Sequence, residues 1–195
     1  MKSMNILVID NGTTYLENIK GLLTGNTVVV RRWSDPSALQ GVSADLVIFS
    51  GGHDIPVLGH EKEFEDEIEF VKNTHIPVLG ICLGFEIIAR AFGVLPKILT
   101  KKEKGIVEIY PKVSEPIFEG VGKGFLVYES HRWAIGRAPE EFVSLADSSD
   151  GVEIMRHKKR MIYGFQFHPE MLVEKTEGRR IFENFFRVVL QKAST

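Results

Sequence analysis

IPVLGICLGFEIIARAFG, residues 76–93, carries two periodicities with no loop between them. Residues 76–81 are a short apolar run, the pattern of a strand buried on both faces. Residues 83–92 then place apolar side chains at helical spacing. Cys82 sits at the junction, flanked by Gly80 and Gly84. A strand that passes straight into a helix is the start of a β–turn–α unit, and it sets the class of the whole chain.

Upstream, the same rhythm repeats. Residues 5–10 read as a buried strand, and 15–23 as a helix with Leu16, Ile19, Leu22 and Leu23 on one side. Residues 27–33 form a second strand, and 45–50 a third that runs into Gly51-Gly52. Residues 61–73 carry Phe64, Ile68 and Val71 at helical spacing, with acids on the other faces. This alternation predicts parallel strands joined by right-handed crossovers. Sites in such sheets gather at the carboxyl ends of strands, so Gly51-Gly52 and Cys82 should share one edge.

From Pro96 the texture changes. Residues 97–101 and 106–110 read as a hairpin around Lys-Glu-Lys-Gly. Further strands, several of them antiparallel, are predicted at 125–129, 142–146, 152–156 and 161–167. A closing helix over 176–191 has a stripe of Ile181, Phe182, Phe185, Val189 and Leu190. The expected fold is one α/β domain over residues 1–195: three layers, a mostly parallel central sheet, a nucleophile elbow and an antiparallel hairpin extension in the C-terminal half.

Composition limits the function classes. A chain 44% hydrophobic and 26% charged buries a core and is not disordered. A net charge of −2 argues against a nucleic-acid surface. One cysteine forms no intramolecular disulfide, which fits a reducing compartment. The first apolar segment, MNILVID, is too short to span a membrane and lacks a cleavage site. A cytoplasmic protein with no membrane association is expected.

Gly80-Ile81-Cys82-Leu83-Gly84 has the form of a nucleophile elbow, in which glycines let the backbone fold tightly beneath the reactive side chain. A helix N-terminus also favours thiolate over thiol. On these five residues alone, a packed structural thiol is an equal reading. A cysteine nucleophile needs a histidine held by a third group. Among the six histidines only His168 has a carboxylate at a distinctive short spacing, in Gln166-Phe167-His168-Pro169-Glu170 at the end of an apolar strand. Pro169 fixes a bend, so that His168 and Glu170 can point to the same side. That triplet tips the balance toward catalysis.

GICLG at 80–84, SGG at 50–52 and GFQFHPE at 164–170 together resemble the class I, or triad, glutamine amidotransferases, in that family's order and at about its separations. ILVIDNGTTYLENI, at the start of the chain, is similar to the family's first strand and helix. Within the family, the compact length and the run from SHRW to FQFHPE are most similar to the free-standing glutaminase subunits of archaeal GMP synthases. The resemblance implies that Cys82 attacks the carboxamide of L-glutamine to give a γ-glutamyl thioester. It makes His168 the proton carrier and Glu170 its orienting group. It places the oxyanion on backbone N–H groups of Gly52 and Leu83, with Gly51, Glu86 and His131 as further substrate-binding candidates. It implies ammonia delivered to an ATP-dependent synthetase partner, and no cofactor.

Two positions depart from the family pattern. Where GICLGHQ is common, this chain has Phe85 and Glu86, a run that instead resembles the γ-glutamyl hydrolases. Glu86 shares the helix face of the thiol, where it would raise the cysteine pKa or bind the substrate's α-ammonium. Ser130-His131-Arg132-Trp133 leans toward the hydrolases too. His53 follows the Gly-Gly where proline is usual, as a substrate contact or a loop residue facing solvent. His131 reads either as site-lining or as an exposed strand end. A free-standing γ-glutamyl hydrolase and a degenerate binding module are the alternative functions. Ser50-Gly51-Gly52-His53-Asp54 matches a pyrophosphate loop only superficially, since Pro56 disfavours the helix such a loop requires. Lys101, Lys102 and Lys104, and residues 156–160, read as solvated hairpin turns. One cysteine and scattered histidines make no zinc site of the usual spacings, so no metal is expected.

Overall fold

The computed structural model describes residues 3–52 and 55–192. His53, one of the candidate substrate contacts, lies outside the described residues. Strands β1 (Asn5–Asp10), β2 (Thr27–Arg32), β3 (Leu46–Phe49) and β4 (Val78–Ile81) alternate with helices α1 (Leu16–Leu22), α2 (Glu65–Asn73) and α3 (Leu83–Ala91). Then come β5 (Lys97–Pro111), β6 (Phe125–Ala134), β7 (Phe142–Asp147), β8 (Val152–His157), β9 (Ile162–Phe165) and α4 (Gly178–Lys192). Among the described residues these strands form one sheet in the order β2-β1-β3-β4-β9-β8-β7-β5-β6. The first five strands in that order are parallel, and the remaining pairings are antiparallel. The sheet is therefore evenly mixed rather than mostly parallel.

Both faces of β1, β3, β4 and β9 are covered, which is why these strands are almost continuously apolar, while the edge strand β2 alternates between half-buried and exposed residues. Ile6, Val8, Ile48 and Ile81 point to a core closed by Ile19 of α1 and by Ile181, Phe182, Phe185 and Val189 of α4. Leu7, Ile9, Val47 and Phe49 point the other way, to Ile68 and Val71 of α2 and Ile87 and Ile88 of α3. The helical stripes predicted for α1, α2 and α4 are the buried faces. Neither α1 nor α2 has a side-chain cap, and α2 starts at Glu65, four residues later than the expected start at residue 61.

One predicted element is different. The hairpin around Lys-Glu-Lys-Gly is a single strand, β5, which pairs antiparallel along β6 with a register shift between Ile98 and Glu103. The four-residue run lacks the Asn-Gly or Asp-Gly pair that closes a tight hairpin. Lys101, Lys102 and Lys104 are thus exposed strand residues rather than turn residues, and Arg156 belongs to β8.

The feature that positions the site is the neighbour of β4. Strand β9 lies against it in parallel, pairing Gly80 with Gly164 and Ile81 with Phe165. GICLG and GFQFHPE therefore run side by side and leave the sheet at the same edge. The Cys82 N–H donates to the Phe165 carbonyl at 2.8 Å, tying the elbow to the second motif.

Candidate active site

Cys82 has φ 52° and ψ −103°, a left-handed conformation shared by only one other non-glycine among the described residues, Leu172. Such a conformation costs roughly 1–3 kcal/mol and persists only where the surroundings impose it. Here the glycines permit the close packing that holds it. A Cβ on Gly80 would lie 2.4 Å from the Gly84 carbonyl oxygen, and one on Gly84 would lie 2.3 Å from that of Phe49. Backbone meets backbone beneath the thiol.

The loop after β3 faces Cys82 from the side. A Cβ on Gly51 would stand 3.1 Å from His168 Cε1 and 3.6 Å from Cys82 Cβ, so Gly51 lies at the joint between the two side chains. Gly52 approaches Leu83: its Cβ would sit 2.5 Å from Leu83 Cδ2 and 2.2 Å from the Asn11 carbonyl oxygen. The Asn11 N–H donates to Ser50 Oγ at 2.9 Å, and its amide donates to the Ser50 carbonyl at 3.2 Å and to Glu67 Oε1 at 3.1 Å. This brace is buried, and burial pushes the Glu67 carboxyl up to about 8.

That shift has a consequence for stability. Folded Glu67 keeps a proton that the unfolded chain has lost, so its contribution is complete at low pH and disappears as pH rises through about 8. Glu67→Gln should melt close to wild type at pH 5 and several degrees higher at pH 8. Thermal melts of both proteins at the two pH values check this; an equal difference at each would contradict it.

His168 is buried, and its Nδ1 lies 2.8 Å from Glu170 Oε1. A carboxylate only accepts, so Nδ1 carries the proton and Nε2 presents its lone pair. Nε2 has no hydrogen-bond partner. Tyr15 packs edge-on against the ring at 5.2 Å between centroids, and Tyr128 stands at 6.4 Å. The two tyrosines were not among the expected site residues, and only the folding of α1 and β6 over His168 reveals them.

Burial pushes the Cys82 thiol well up, and the carboxylates of Glu86, Glu129 and Glu170 push it further, with the Leu83 N–H opposing. The sign expected from the helix terminus alone is reversed. Glu86 is buried one helical turn beyond Cys82, and desolvation holds its carboxyl well above the ordinary range against the Gln166 amide beside it. Its Oε2 and both polar atoms of the Gln166 side chain are unpartnered. Phe85 turns away into the core, against Gly164, where a Cβ would fall 2.4 Å from Phe85 Cδ2. That departure from the family pattern is a packing choice.

His131 is buried rather than exposed. Its Nδ1 lies 2.8 Å from the Trp133 carbonyl and its Nε2 3.2 Å from Glu129 Oε2. It therefore sits with Glu129 and Glu153 in a second polar cluster, and has no ion pair or hydrogen bond to Cys82 or His168. Geometry thus brings together Cys82, Leu83, Gly51, Gly52, His168 and Glu170, with Glu86 beneath them and His131 to one side.

Residues 7–189 match the family glutamine amidotransferase class-I. One subunit of the glutamine-hydrolysing GMP synthase of Methanocaldococcus jannaschii is 33% identical over 189 residues, 94% of this chain and 96% of that one. Its counterpart in Methanothermobacter thermautotrophicus is 39% identical over 124 residues, 62% of this chain and 65% of that one. Among solved structures, a Thermoplasma acidophilum protein described as a GMP synthase subunit superposes with a TM-score of 0.86 at 29% identity, over 100% of this chain and 98% of that one.

Proposed function

As the chain belongs to the glutamine amidotransferase class I family, we propose that it hydrolyses L-glutamine to glutamate and ammonia, and supplies the ammonia to an ATP-dependent synthetase partner of the GMP synthase kind. The observation that carries this reading is the position of Gly51 between Cys82 Cβ and the His168 ring, with Glu170 behind His168.

In this mechanism Cys82 Sγ attacks the side-chain amide carbon of glutamine as its proton passes to His168 Nε2. The oxyanion is held by the Gly52 and Leu83 N–H groups, donors fixed before the charge develops. His168 returns the proton to the departing nitrogen, ammonia leaves, and a γ-glutamyl thioester remains on Cys82. Water then adds to the thioester, giving its proton to His168, and glutamate leaves as the thiol is re-formed. Glu170 holds the imidazolium in place. Glu86 is the candidate partner for the substrate's α-ammonium, whose charge would favour the ionised carboxylate that burial otherwise disfavours. The high thiol pKa keeps the nucleophile protonated at rest, so thioester formation depends on His168 and on whatever docking does to the site. A lone thiol that must stay reduced suits the cytoplasm.

The test is glutamate release from glutamine by the chain alone, and then with the synthetase partner of a GMP synthase and its nucleotide substrates. Release should rise roughly tenfold when the complete partner is present, a normal size for coupling between sites. Faster turnover of γ-glutamyl peptides than of glutamine, unaffected by any synthetase, would replace this reading with that of a free-standing hydrolase.

A further inference from the structure

We propose that Glu129, His131 and Glu153 form a binding site for one divalent transition-metal ion, separate from the Cys82–His168–Glu170 triad. Glu129 and His131 are two apart on β6 and so share a face, while Glu153 comes from β8. These strands are not neighbours in the sheet order, but β6 curls back over the end of the sheet. Its end is tied to the start of β8 through the Ile135–Val152 bridge, and the Tyr128 carbonyl accepts from the His168 N–H. The three side chains meet inside that curl, at 1%, 4% and 2% exposure for Glu129, His131 and Glu153. One donor atom from each lies within 4.8 Å of the others.

The histidine tautomer is what calls for a cation. The Trp133 carbonyl can only accept, so His131 Nδ1 carries a proton, and in the neutral imidazole Nε2 turns a lone pair toward Glu129 Oε2 at 3.2 Å. In that form a lone pair and a carboxylate face each other, and a positive charge, proton or metal, is needed between them. His131 Nε2, both oxygens of Glu129 and Oε2 of Glu153 are buried and meet no hydrogen-bonding group outside the cluster. No lysine or arginine among the described residues forms an ion pair with either carboxylate; Glu129 instead feels two further acids, Glu103 and Asp150. A divalent cation takes one donor atom from each of the three residues and brings two carboxylates and a neutral imidazole to zero net charge.

The geometry is close to that of a bound state. Two ligands each about 2.1 Å from one metal stand about 3.4 Å apart in a tetrahedral sphere. The Nε2–Oε2 pair is already at 3.2 Å, and the widest pair needs to close by no more than about 1.4 Å. Both supporting contacts expected of a metal site are in place. His131 Nδ1 is anchored on the Trp133 carbonyl, and Glu153 Oε1 accepts from Ser148 Oγ at 2.7 Å. Two oxygen donors and one imidazole suit Mn²⁺, Fe²⁺ or Zn²⁺ and disfavour Cu⁺.

The test uses the tag-free full chain, stripped with a chelator and then equilibrated with Zn²⁺ or Mn²⁺ alone. Elemental analysis after dialysis should find about one ion per chain, and the metal should raise the melting temperature. Cys82→Ala should bind as wild type does. Glu153→Gln and Glu129→Gln, each checked for fold by circular dichroism, should bind at least about tenfold more weakly and lose the thermal shift. Should either variant misfold, Co²⁺ loaded into the wild type gives a second readout: ligand-field bands without a sulfur-to-cobalt charge-transfer band. Absence of stoichiometric binding by the folded wild type would overturn the proposal, as would undiminished binding by both folded variants or a sulfur-to-cobalt band.

Discussion

Cys82→Ala should lower glutamine turnover by about 10⁴-fold or more while leaving the circular dichroism spectrum and quaternary behaviour unchanged. The size of the effect follows from the chemistry: the substitution removes the one atom that forms a covalent bond to substrate, and no second thiol exists in the chain to replace it. The fold should tolerate it. The left-handed backbone at residue 82 goes with the close backbone packing that Gly80 and Gly84 permit rather than with the sulfur, and alanine leaves little void. Turnover within a factor of ten of wild type, measured by glutamate release, would contradict the role given to Cys82.

Gly84→Ala should be among the most damaging single-methyl substitutions at the described residues. Its Cβ would lie 2.3 Å from the Phe49 carbonyl oxygen and 2.7 Å from Phe49 Cβ, so α3 cannot keep its place against β3. Overpacking against backbone costs about 3 kcal/mol or more, which at this chain length lowers the melting temperature by roughly 10 °C. The elbow would open with it, so activity should fall too. Gly21→Ala provides the contrast. It lies in α1 with nothing within 4 Å of its Cβ, and should raise the melting temperature by a degree or two. Equal melting temperatures for the two variants would mean that crowding at the elbow is not what holds Cys82.

The elbow was legible in the sequence because its causes are local. A strand-length apolar run, a glycine on each side of the cysteine and a helical repeat all fall within about fifteen residues. The same is true of His168 and Glu170, whose spacing around a proline stands out by itself. That β4 and β9 would be neighbours could not be read from either motif, since pairing across eighty residues is decided by the packing of the whole sheet. Lysine density over residues 101–104 suggested a turn, yet an exposed strand face accepts lysines equally well. Phe85 stood out as a departure beside Cys82, and only the glycine at 164 explains it.

Glu129 and Glu153 are the clearest omission. Glutamates are mostly exposed, so an isolated one in a predicted strand is ordinarily taken as facing solvent. The signal that was available is period two: Val127, Glu129 and His131 fall on one face, and Val127 is core. Cysteine and histidine spacings alone pass over the cluster, because its donors are two carboxylates and one imidazole drawn from separate strands.

The central claim is that Cys82 carries a γ-glutamyl group during turnover. The direct measurement is mass spectrometry of the peptide containing Cys82 after L-glutamine is mixed with the chain and its synthetase partner and the reaction is quenched in acid. One γ-glutamyl group is expected on that peptide during steady-state turnover, disappearing once glutamine is exhausted. Glutamate release at the full rate with Cys82 unmodified throughout, or with the acyl group on another residue, would contradict it.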